Sequence, residues 1–387
     1  MSLSLLASSV NISFQSHPEY ASALRLVRVV LQRSGLEESL RCIHLSYKAV
    51  RRSFALVLLI FVSLKINGAE PVQQLRLGHF PNITHGQAIY ARATGDFEKA
   101  LGIKIKWTSF NAGPTAIESL FTDAVDATFV GPSPTINGFI KSRGEKFVVI
   151  AGSASGGAGL VVRNDVPIAN EKDFHDKVIA TPQLGNTQDV AARVWFAEKG
   201  YRMKERGGDL TLVALSNPDQ LTLFKKKQID GAWTVEPWMS RLELEGGGKV
   251  FLEESTLWPE GRYVTTHLVV NKAFLAHNPE LIRKLLTALV DASLAINADK
   301  AAAAKIMNDE LKKETGKSLK PEVLEKAMKR VEFTWDPVPA SLRKSADALH
   351  TIGFLRKTPD LNGIYSLDPL NQVLAEKHLP AVNVGTE

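Results

Sequence analysis

From residue 74 onward, short apolar runs alternate with segments whose apolar residues recur every three to four positions. The first pattern is typical of strands and the second of amphipathic helices. Because the two alternate along most of the chain, the sequence predicts an α/β protein with parallel-rich sheets flanked by helices. The predicted strands are 74–80, 103–110, 126–130, 146–151, 178–180, 210–215, 229–235, 249–252 and 263–271.

The pattern changes twice. Gly152–Gly159 is a small, flexible segment that we interpret as a crossing between two lobes, and the strand at 263–271 returns the chain to the first lobe. From Pro279 onward the pattern is helical, with high propensity in the alanine run at 301–304. Helices are predicted at 279–297, 298–315, 321–331 and 339–352.

Three strand–loop–helix junctions combine turn residues with a helix start. Asn186 is a predicted N-cap with Asp189 three residues on, and Thr84 and Gln87 have the spacing of a capping box. Ser133 is a predicted N-cap with Pro134 at the first helical position. Unpaired N–H groups at such helix starts favour anions, and ligands of α/β sheets bind beyond the carboxyl ends of the strands. The alternative is that these are ordinary capped helices.

Composition describes a globular protein with enough residues for two lobes and a sizeable core. The chain has 387 residues, 44% hydrophobic and 23% charged. Of the net charge of +6, residues 1–69 contribute +5, from eight lysines and arginines against three acidic residues. The rest is nearly neutral at +1, so no basic face for nucleic acid is indicated.

Residues 48–69 have the pattern of a secretory signal. Lys48, Arg51 and Arg52 precede a short apolar run, 53–64, and small residues end at Ala69. A transmembrane anchor is the alternative, but the apolar run is shorter than the roughly 20 residues that span a bilayer. Residues 1–47 form no convincing domain, and we expect a start codon assigned too far upstream. The single cysteine, Cys42, precedes the signal, so the mature protein would have none.

Catalytic motifs are not recognisable. The sequence has no Gly-x-Ser-x-Gly elbow, Walker-type loop or Gly-x-Gly-x-x-Gly fingerprint. His79, His85 and His267 lack the spacing of zinc ligands. Glu236 lies between a predicted strand and Trp238, where it could accept hydrogen bonds from an amine or from loop N–H groups, or be a solvated acid at a helix start. We therefore expect no enzyme, no cofactor and no metal.

Four segments together resemble substrate-binding proteins of ABC importers, in the nitrate, sulfonate and taurine group: GHFPNITHGQAIYA, DATFVGPSPTINGF, ATPQLGNTQDVAARVWF and IDGAWTVEPWMSRL. The resemblance covers roughly Leu75 to Pro337. It implies a two-lobed periplasmic-binding-protein fold of type II, with two mixed sheets, a cleft between them and a helical C-terminal region. The implied organisation is 1–47 leader extension, 48–69 signal peptide, 70–158 first lobe, 159–262 second lobe and 263–387 return to the first lobe.

The resemblance also implies a ligand and partners. The ligand would be a small organic anion such as a sulfonate or taurine, passed in the periplasm to an inner-membrane permease with its ATPase by a monomeric protein. No arginine or lysine lies in the matching loops, which favours a sulfonate over nitrate or a highly charged anion. Implied ligand-binding residues are Asn82, Thr84, His85, Ser133, Thr135, Ser153, Ser155, Asn186, Thr187, Gln188, Glu236 and Trp238.

Other functions stay open on the sequence alone. Nitrate, bicarbonate or a thiamine-pyrimidine precursor could be the ligand. The chain could instead resemble a pyrimidine-precursor synthase of the same fold, although that group depends on a cysteine cluster that the mature chain lacks. A sensor that presents its bound ligand to a membrane receptor is a third possibility.

Overall fold

The structure, a computed structural model, describes residues 72–383, which belong to one compact unit. Two mixed β-sheets flanked by helices form this unit. No helix among residues 72–383 is long and apolar enough to cross a membrane. The predicted signal peptide and leader extension lie outside the described residues.

The first sheet has six strands in the order β11-β4-β10-β3-β1-β2. β1 pairs in parallel with β2 and β3, whereas β10 is antiparallel to β3 and β4, and β11 is antiparallel to β4. These strands are β1 (Gln74–His79), β2 (Lys104–Ser109), β3 (Ala127–Val130), β4 (Phe147–Gly156), β10 (Val264–Asn271) and β11 (Val331–Phe333).

The second sheet has five strands in the order β7-β6-β8-β5-β9. β6 is parallel to β7 and β8, and β5 is antiparallel to β8 and β9. Its strands are β5 (Ala158–Arg163), β6 (Val178–Thr181), β7 (Thr211–Ala214), β8 (Gly231–Val235) and β9 (Gly248–Glu253).

Helices cover both sheets. They are α1 (Gly86–Thr94), α2 (Asp96–Leu101), α3 (Gly113–Phe121), α4 (Pro132–Lys141), α5 (Thr187–Glu198), α6 (Asn217–Lys225), α7 (Trp238–Leu244), α8 (Lys272–His277), α9 (Pro279–Ala298), α10 (Lys300–Thr315), α11 (Pro321–Arg330), α12 (Pro339–Thr351) and α13 (Asp368–Glu376). Short 3-10 turns lie at Ile83–His85, Lys204–Arg206, Glu254–Leu257 and Pro259–Gly261.

Buried apolar side chains pack separately against each of the two sheets. The long helix α9 buries Leu285, Leu289 and Ile296 against the first sheet and its neighbouring helices. In the second sheet, Trp233 packs edge-on to Trp195, and Phe174 packs edge-on to the same ring. Each sheet therefore has its own hydrophobic core.

Two predicted helix starts are wrong in detail. The Thr84–Gln87 capping box does not form, because the buried Gln87 amide instead donates to the Ser153 carbonyl at 2.5 Å and the Ser293 hydroxyl at 3.1 Å. α1 therefore begins at Gly86, after a 3-10 turn. The N-cap of α4 is Gly131 rather than Ser133, which lies inside the helix.

The glycine-rich segment at 152–159 is mostly strand. β4 continues to Gly156, and β5 begins at Ala158. The small residues are needed for close packing rather than for flexibility: a Cβ on Gly152 would lie 2.1 Å from the Asp336 carbonyl oxygen. Gly156 and Gly157 both have positive φ, which lets the chain turn sharply between the two strands.

Candidate ligand-binding site

The loops that follow the parallel strands of both sheets meet around one small cavity. Loops after β1, β2 and β3 line it from the first sheet, and loops after β6, β7 and β8 or the ends of those strands line it from the second. This is the position expected for ligands of α/β sheets. The lining residues are Phe80, Asn82, Thr84, His85, Asn111, Ala112, Gly113, Gly131, Pro134, Pro182, Asn186, Thr187, Gln188, Asn217, Val235, Thr265 and Thr266.

Four helices of at least nine residues, α3, α4, α5 and α6, begin at this cavity. Their first N–H groups have no partner inside the helix, and the helix dipole makes these ends favourable for negative charge. No side chain caps α3, α4 or α6. Of these four helices only α5 has a side-chain N-cap: the Asn186 Oδ1 accepts from the Asp189 N–H at 2.9 Å. The N–H groups that remain available at these helix starts exclude the positions of Pro114, Pro132, Pro134 and Pro218, since proline has no N–H.

Two threonine hydroxyls in the cavity wall lack a hydrogen-bond partner. The Oγ1 atoms of Thr187 and Thr266 are both buried and unpaired among the described residues. Thr187 begins α5, which packs beside the second sheet, yet it contacts Gly131, which follows β3 of the first sheet. A Cβ on Gly131 would lie 2.4 Å from the Thr187 Oγ1. Because unpaired buried hydroxyls are costly, they indicate a place where a polar ligand group belongs.

His85 supplies a neutral donor. Its ring stacks on Phe80 with centroids 4.3 Å apart, and its Nδ1 accepts from the Phe80 N–H at 3.4 Å. Burial, and secondarily the nearby His79, hold the pKa of His85 well below its usual value. The imidazole is therefore neutral near pH 7, and because Nδ1 accepts, Nε2 carries the proton.

Among residues 72–383, no aspartate, glutamate, lysine or arginine lines this cavity. Its empty space, including the part open to solvent, is about 390 Å³, but the centre of a water molecule can move within only about 30 Å³ of it. That is room for a group of a few heavy atoms. The arrangement can hold a small anionic head group by dipoles and neutral hydrogen bonds, as the sequence predicted for loops without basic residues.

Two hydrogen bonds join the loops of the two sheets beside the cavity. The Trp238 Nε1 donates to the Asn82 Oδ1 at 2.9 Å, and the Ile83 N–H donates to the Glu236 carbonyl oxygen at 3.1 Å. Asn82 thus lines the cavity and is fixed by a side chain from the opposite sheet. Trp238 itself lines a neighbouring, wider space, the outer chamber, which shares Asn82, Asn111 and Asn217 with the cavity and also takes Glu314 of α10 into its wall.

The Glu236 side chain does not line the cavity. It is fully buried, its Oε1 accepts from Arg330 Nη1 at 3.0 Å and Ser240 Oγ at 2.9 Å, and its Oε2 accepts from the Ser240 N–H at 3.1 Å. Burial raises the pKa of Glu236, and Arg330 counters that shift. Glu236 is therefore a buried acid held by Arg330 and Ser240 rather than a solvated acid at a helix start, and its contact with a ligand stays a prediction.

Four further predicted residues are buried beside the cavity without lining it: Ser133, Thr135, Ser153 and Ser155. Thr135 donates to the Gly131 carbonyl at 2.8 Å, Ser153 donates to the Gln87 Oε1 at 2.8 Å, and the Ser155 hydroxyl accepts from the Tyr263 N–H at 3.3 Å. Direct ligand contact by these residues stays a prediction. Asn82, Thr84, His85, Asn186, Thr187 and Gln188 are brought together at the cavity.

The sequence analysis missed several lining residues. Asn111 and Asn217 each follow a strand and stand shortly before a proline at a helix start, a signal that could have identified them. Thr265 and Thr266 lie inside β10, where nothing in the local pattern marks them. They reach the cavity because β10 crosses back into the first sheet beside β3.

Metal chemistry finds no support in the part of the chain that the structure describes, where no three His, Cys, Asp or Glu residues cluster suitably for an ion. His267 is buried on β10, with its Nε2 3.2 Å from the Pro337 carbonyl oxygen, and burial lowers its pKa to about 4. It is a neutral core histidine rather than a ligand.

Comparison with known proteins places the chain among binding proteins. A putative aliphatic sulfonates-binding protein of Bacillus subtilis is 26% identical over 241 residues, 59% of this chain and 68% of the relative. The taurine-binding periplasmic protein of Escherichia coli is 25% identical over 202 residues, 52% of this chain and 60% of the relative, so the match spans less than two thirds of that protein.

A solved structure supports the fold. The alkanesulfonate-binding protein from Xanthomonas axonopodis pv. citri, bound to MOPS, superposes with a TM-score of 0.64 at 21% identity, covering 78% of this chain and all of that one. The predicted two-lobed periplasmic-binding-protein fold with two mixed sheets is thereby confirmed. Residues 68–308 match the NMT1-like family, and the chain belongs to that family.

Proposed function

We propose that the protein is a solute-binding protein that captures a small organic anion with a sulfonate head and delivers it to an ABC importer. The observation that carries this proposal is the cavity without charged side chains, at which α3, α4, α5 and α6 begin and two hydroxyls have no partner. The names of the relatives, which bind aliphatic sulfonates and taurine, support the same ligand class.

A sulfonate suits these donors. It carries one negative charge over three oxygens and no proton at neutral pH, so every group it presents accepts hydrogen bonds. Backbone N–H groups, the Thr187 and Thr266 hydroxyls and the His85 Nε2–H are all donors. An alkylphosphonate of the same size presents an O–H as a monoanion, and the wall offers no carboxylate to accept it.

Capture would close the protein around its ligand. We call the cavity described above the head cavity, because we place the anionic head group there. Residues of both sheets line it, so a bound anion favours the arrangement in which the two sheets approach each other. We propose lobes at 70–158 with 263–387, and at 159–262, which move as bodies. The ligand-bound monomer would then present both lobes to the permease, after export to the periplasm under the signal at 48–69.

A thermal-shift panel tests the ligand class. The panel compares ethanesulfonate and butanesulfonate with nitrate, bicarbonate, acetate and ethylphosphonate, each at matched ionic strength with chloride as the reference. We expect the two sulfonates to raise the melting temperature most, since a ligand at 100 times its Kd adds about 2.7 kcal/mol of stability. Stabilisation by nitrate or bicarbonate without any by the sulfonates would contradict the proposal.

A further inference from the structure

Five buried side chains in the wall of the head cavity could each present either a donor or an acceptor to a ligand. They are the amides of Asn82, Asn186, Gln188 and Asn217 and the imidazole of His85. An amide carries an acceptor oxygen and a donor N–H2 group, and a neutral imidazole carries one donor and one acceptor. Which atom faces the ligand therefore depends on the partner that holds the other atom.

The amide oxygens of Asn82 and Asn217 are both occupied by donors of the protein. The Trp238 Nε1 donates to the Asn82 Oδ1 at 2.9 Å, and the Thr234 hydroxyl donates to the Asn217 Oδ1 at 3.1 Å. An indole N–H can only donate, so it fixes the orientation of the Asn82 amide. Neither Nδ2 has a hydrogen bond among the described residues, which leaves both N–H2 groups for the cavity.

At the start of α5 the same arrangement passes through two amides. The Asn186 Oδ1 accepts from the Asp189 N–H at 2.9 Å, and the Asn186 Nδ2 donates to the Gln188 Oε1 at 2.9 Å. The Gln188 Nε2 is then left without a partner among the described residues. His85 is similar, since its Nδ1 accepts from the Phe80 N–H and its Nε2 carries the proton.

We propose that Thr234 and Trp238 are positioning residues that, by occupying the amide oxygens of Asn217 and Asn82, turn both N–H2 groups toward the anionic head. The inference rests on the proposed function and deepens it. A site whose amides and imidazole present donors selects a head group without a proton and rejects one that carries an O–H, such as a phosphonate monoanion. An O–H placed against an N–H2 group leaves both donors unpaired, which is costly in a buried site.

The role of Thr234 can be separated from closure of the lobes. Thr234 lies in β8 and Asn217 begins α6, so their hydrogen bond lies within the proposed second lobe, whereas the bond from Trp238 to Asn82 joins the two lobes. Thr234 is fully buried and lines neither the head cavity nor the outer chamber. Without its hydroxyl, the Asn217 amide is free to turn its oxygen toward the ligand.

Other polar groups in the wall are less restrictive. The Thr187 and Thr266 hydroxyls have no partner among the described residues, so each can rotate to donate or to accept, and the exposed Asn111 amide can turn either way. Thr265 donates to the Gly156 carbonyl at 2.6 Å, so its oxygen can still accept. Acceptance of a ligand O–H by these groups is the competing outcome, in which the wild type binds a phosphonate monoanion as tightly as a sulfonate.

Calorimetry at about pH 6 with ethanesulfonate and ethylphosphonate tests the inference, because the phosphonate is then chiefly a monoanion with one O–H. The proteins are the wild type, Thr234→Val, Thr234→Ser, which keeps the hydroxyl, and Trp233→Phe. Trp233→Phe is the control, since Trp233 precedes Thr234 on β8 but donates to the Glu254 Oε2 and lines neither space. The melting temperature of each variant reports on folding.

We expect the wild type to bind ethanesulfonate at least about thirtyfold more tightly than ethylphosphonate, and Thr234→Val to narrow that ratio at least about fivefold. Thr234→Ser and Trp233→Phe should keep the ratio within about twofold of the wild type. A merely structural role of Thr234 would weaken both ligands equally and leave the ratio unchanged.

Asn217→Asp gives a second measurement that does not depend on the folding of Thr234→Val. The aspartate keeps an acceptor for Thr234 and replaces the N–H2 group by an oxygen that can accept the phosphonate O–H, while its charge repels both anions. The ratio should therefore narrow at least about fivefold here too. The inference is wrong if the wild type does not discriminate, or if the ratio stays unchanged in folded Thr234→Val or Asn217→Asp protein. Failure of ethanesulfonate to bind the wild type would instead overturn the proposed function.

Discussion

Glu254 shows how strongly burial acts on a single residue of this protein. It lies in the 3-10 turn that follows β9, and its Oε2 accepts from the Trp233 Nε1 at 2.9 Å. Burial raises the pKa of Glu254 to about 7, against which Trp233 and Trp258 act only weakly. The group therefore titrates near neutrality in the folded protein and near its ordinary value in the unfolded chain.

Stability should consequently fall as the pH rises. Between about pH 4.5 and 7 the folded state keeps a proton on Glu254 that the unfolded state has lost, so the free energy of unfolding decreases with pH, in total by about 3 kcal/mol. Glu254→Gln removes this dependence and should be more stable than the wild type at pH 8. Urea unfolding at pH 5 and pH 8 measures both effects.

Glu325→Gln is the control for the pH dependence that we attribute to Glu254. Glu325→Gln changes an exposed carboxylate that pairs only with Lys329, and it should leave the pH profile of stability nearly as in the wild type. Parallel profiles for the wild type and Glu254→Gln would show that this carboxyl does not cause the loss of stability above neutral pH.

Site residues whose role depends on their neighbours in the sequence could be predicted, whereas residues whose role depends on contacts with distant parts of the chain could not. Asn186 caps α5 as its sequence spacing predicts, because a cap depends on residues within one turn. For Glu236 the sequence left open an acceptor for an amine or loop N–H groups and a solvated acid at a helix start, whereas its charged partner, Arg330, is 94 residues away in the sequence. No local pattern could identify that pair.

At the scale of elements, α11 connects the two sheets electrostatically. The helix packs with the core beside the first sheet, through Val323 and Ala327. Its last residue, Arg330, pairs with Glu236 at 3.0 Å, Glu253 at 2.8 Å and Glu243 at 3.3 Å, all of which belong to elements of the second sheet or its helices. We infer that α11 helps to hold the two sheets in the arrangement that the structure shows, and we propose that this arrangement is the closed, ligand-binding form.

Arg330→Met tests this role of α11. Glu236 would keep only Ser240 as a partner in the closed form, and breaking a buried pair costs about 3–5 kcal/mol. If Glu236 is hydrated in the open protein, losing Arg330 destabilises the closed form more than the open form. Calorimetry should therefore show at least a tenfold loss of affinity, of equal size for every sulfonate. Lys326→Met, which removes a partner of the half-buried Glu243, is the control and should change affinity by less than threefold.

An unequal effect on different ligands would contradict this account of Arg330, because the residue lines neither the head cavity nor the outer chamber. Unchanged affinity in Arg330→Met would show that the ion pairs form equally well whether or not ligand is bound.

Some elements could not be predicted from the pattern. β11 is only three residues long, and α2 and α8 have six residues each, too few for apolar periodicity to stand out. β11 is defined by its pairing with β4 rather than by its own sequence. The longer helices α9 to α12 begin and end within two residues of their predicted bounds because their periodicity extends over several turns.

At the scale of the whole molecule, alternation of strands and helices predicted parallel-rich sheets flanked by helices, and the resemblance predicted two mixed sheets with a cleft between them. Both sheets are mixed, because β10 and β11 in the first sheet and β5 in the second pair antiparallel to their neighbours. The head cavity follows from that topology, since the loops after the parallel strands of both sheets meet there. The outer chamber did not follow from the sequence, because α10 and its Glu314 come from a helical region far along the chain from the other wall residues.

The central claim is that the anion's head binds between the two sheets at the start of α5. Calorimetric titration of ethanesulfonate into the wild type, Thr187→Ala and Ser119→Ala tests it most directly, since Thr187 lines the cavity, whereas Ser119 donates to the Thr115 carbonyl on α3 and does not line it. Loss of a hydrogen bond to a charged group is worth about 1.5–3 kcal/mol, so Thr187→Ala should weaken binding about ten- to a hundredfold, and Ser119→Ala less than about threefold. Affinity within about twofold of the wild type in a folded Thr187→Ala protein would contradict the claim.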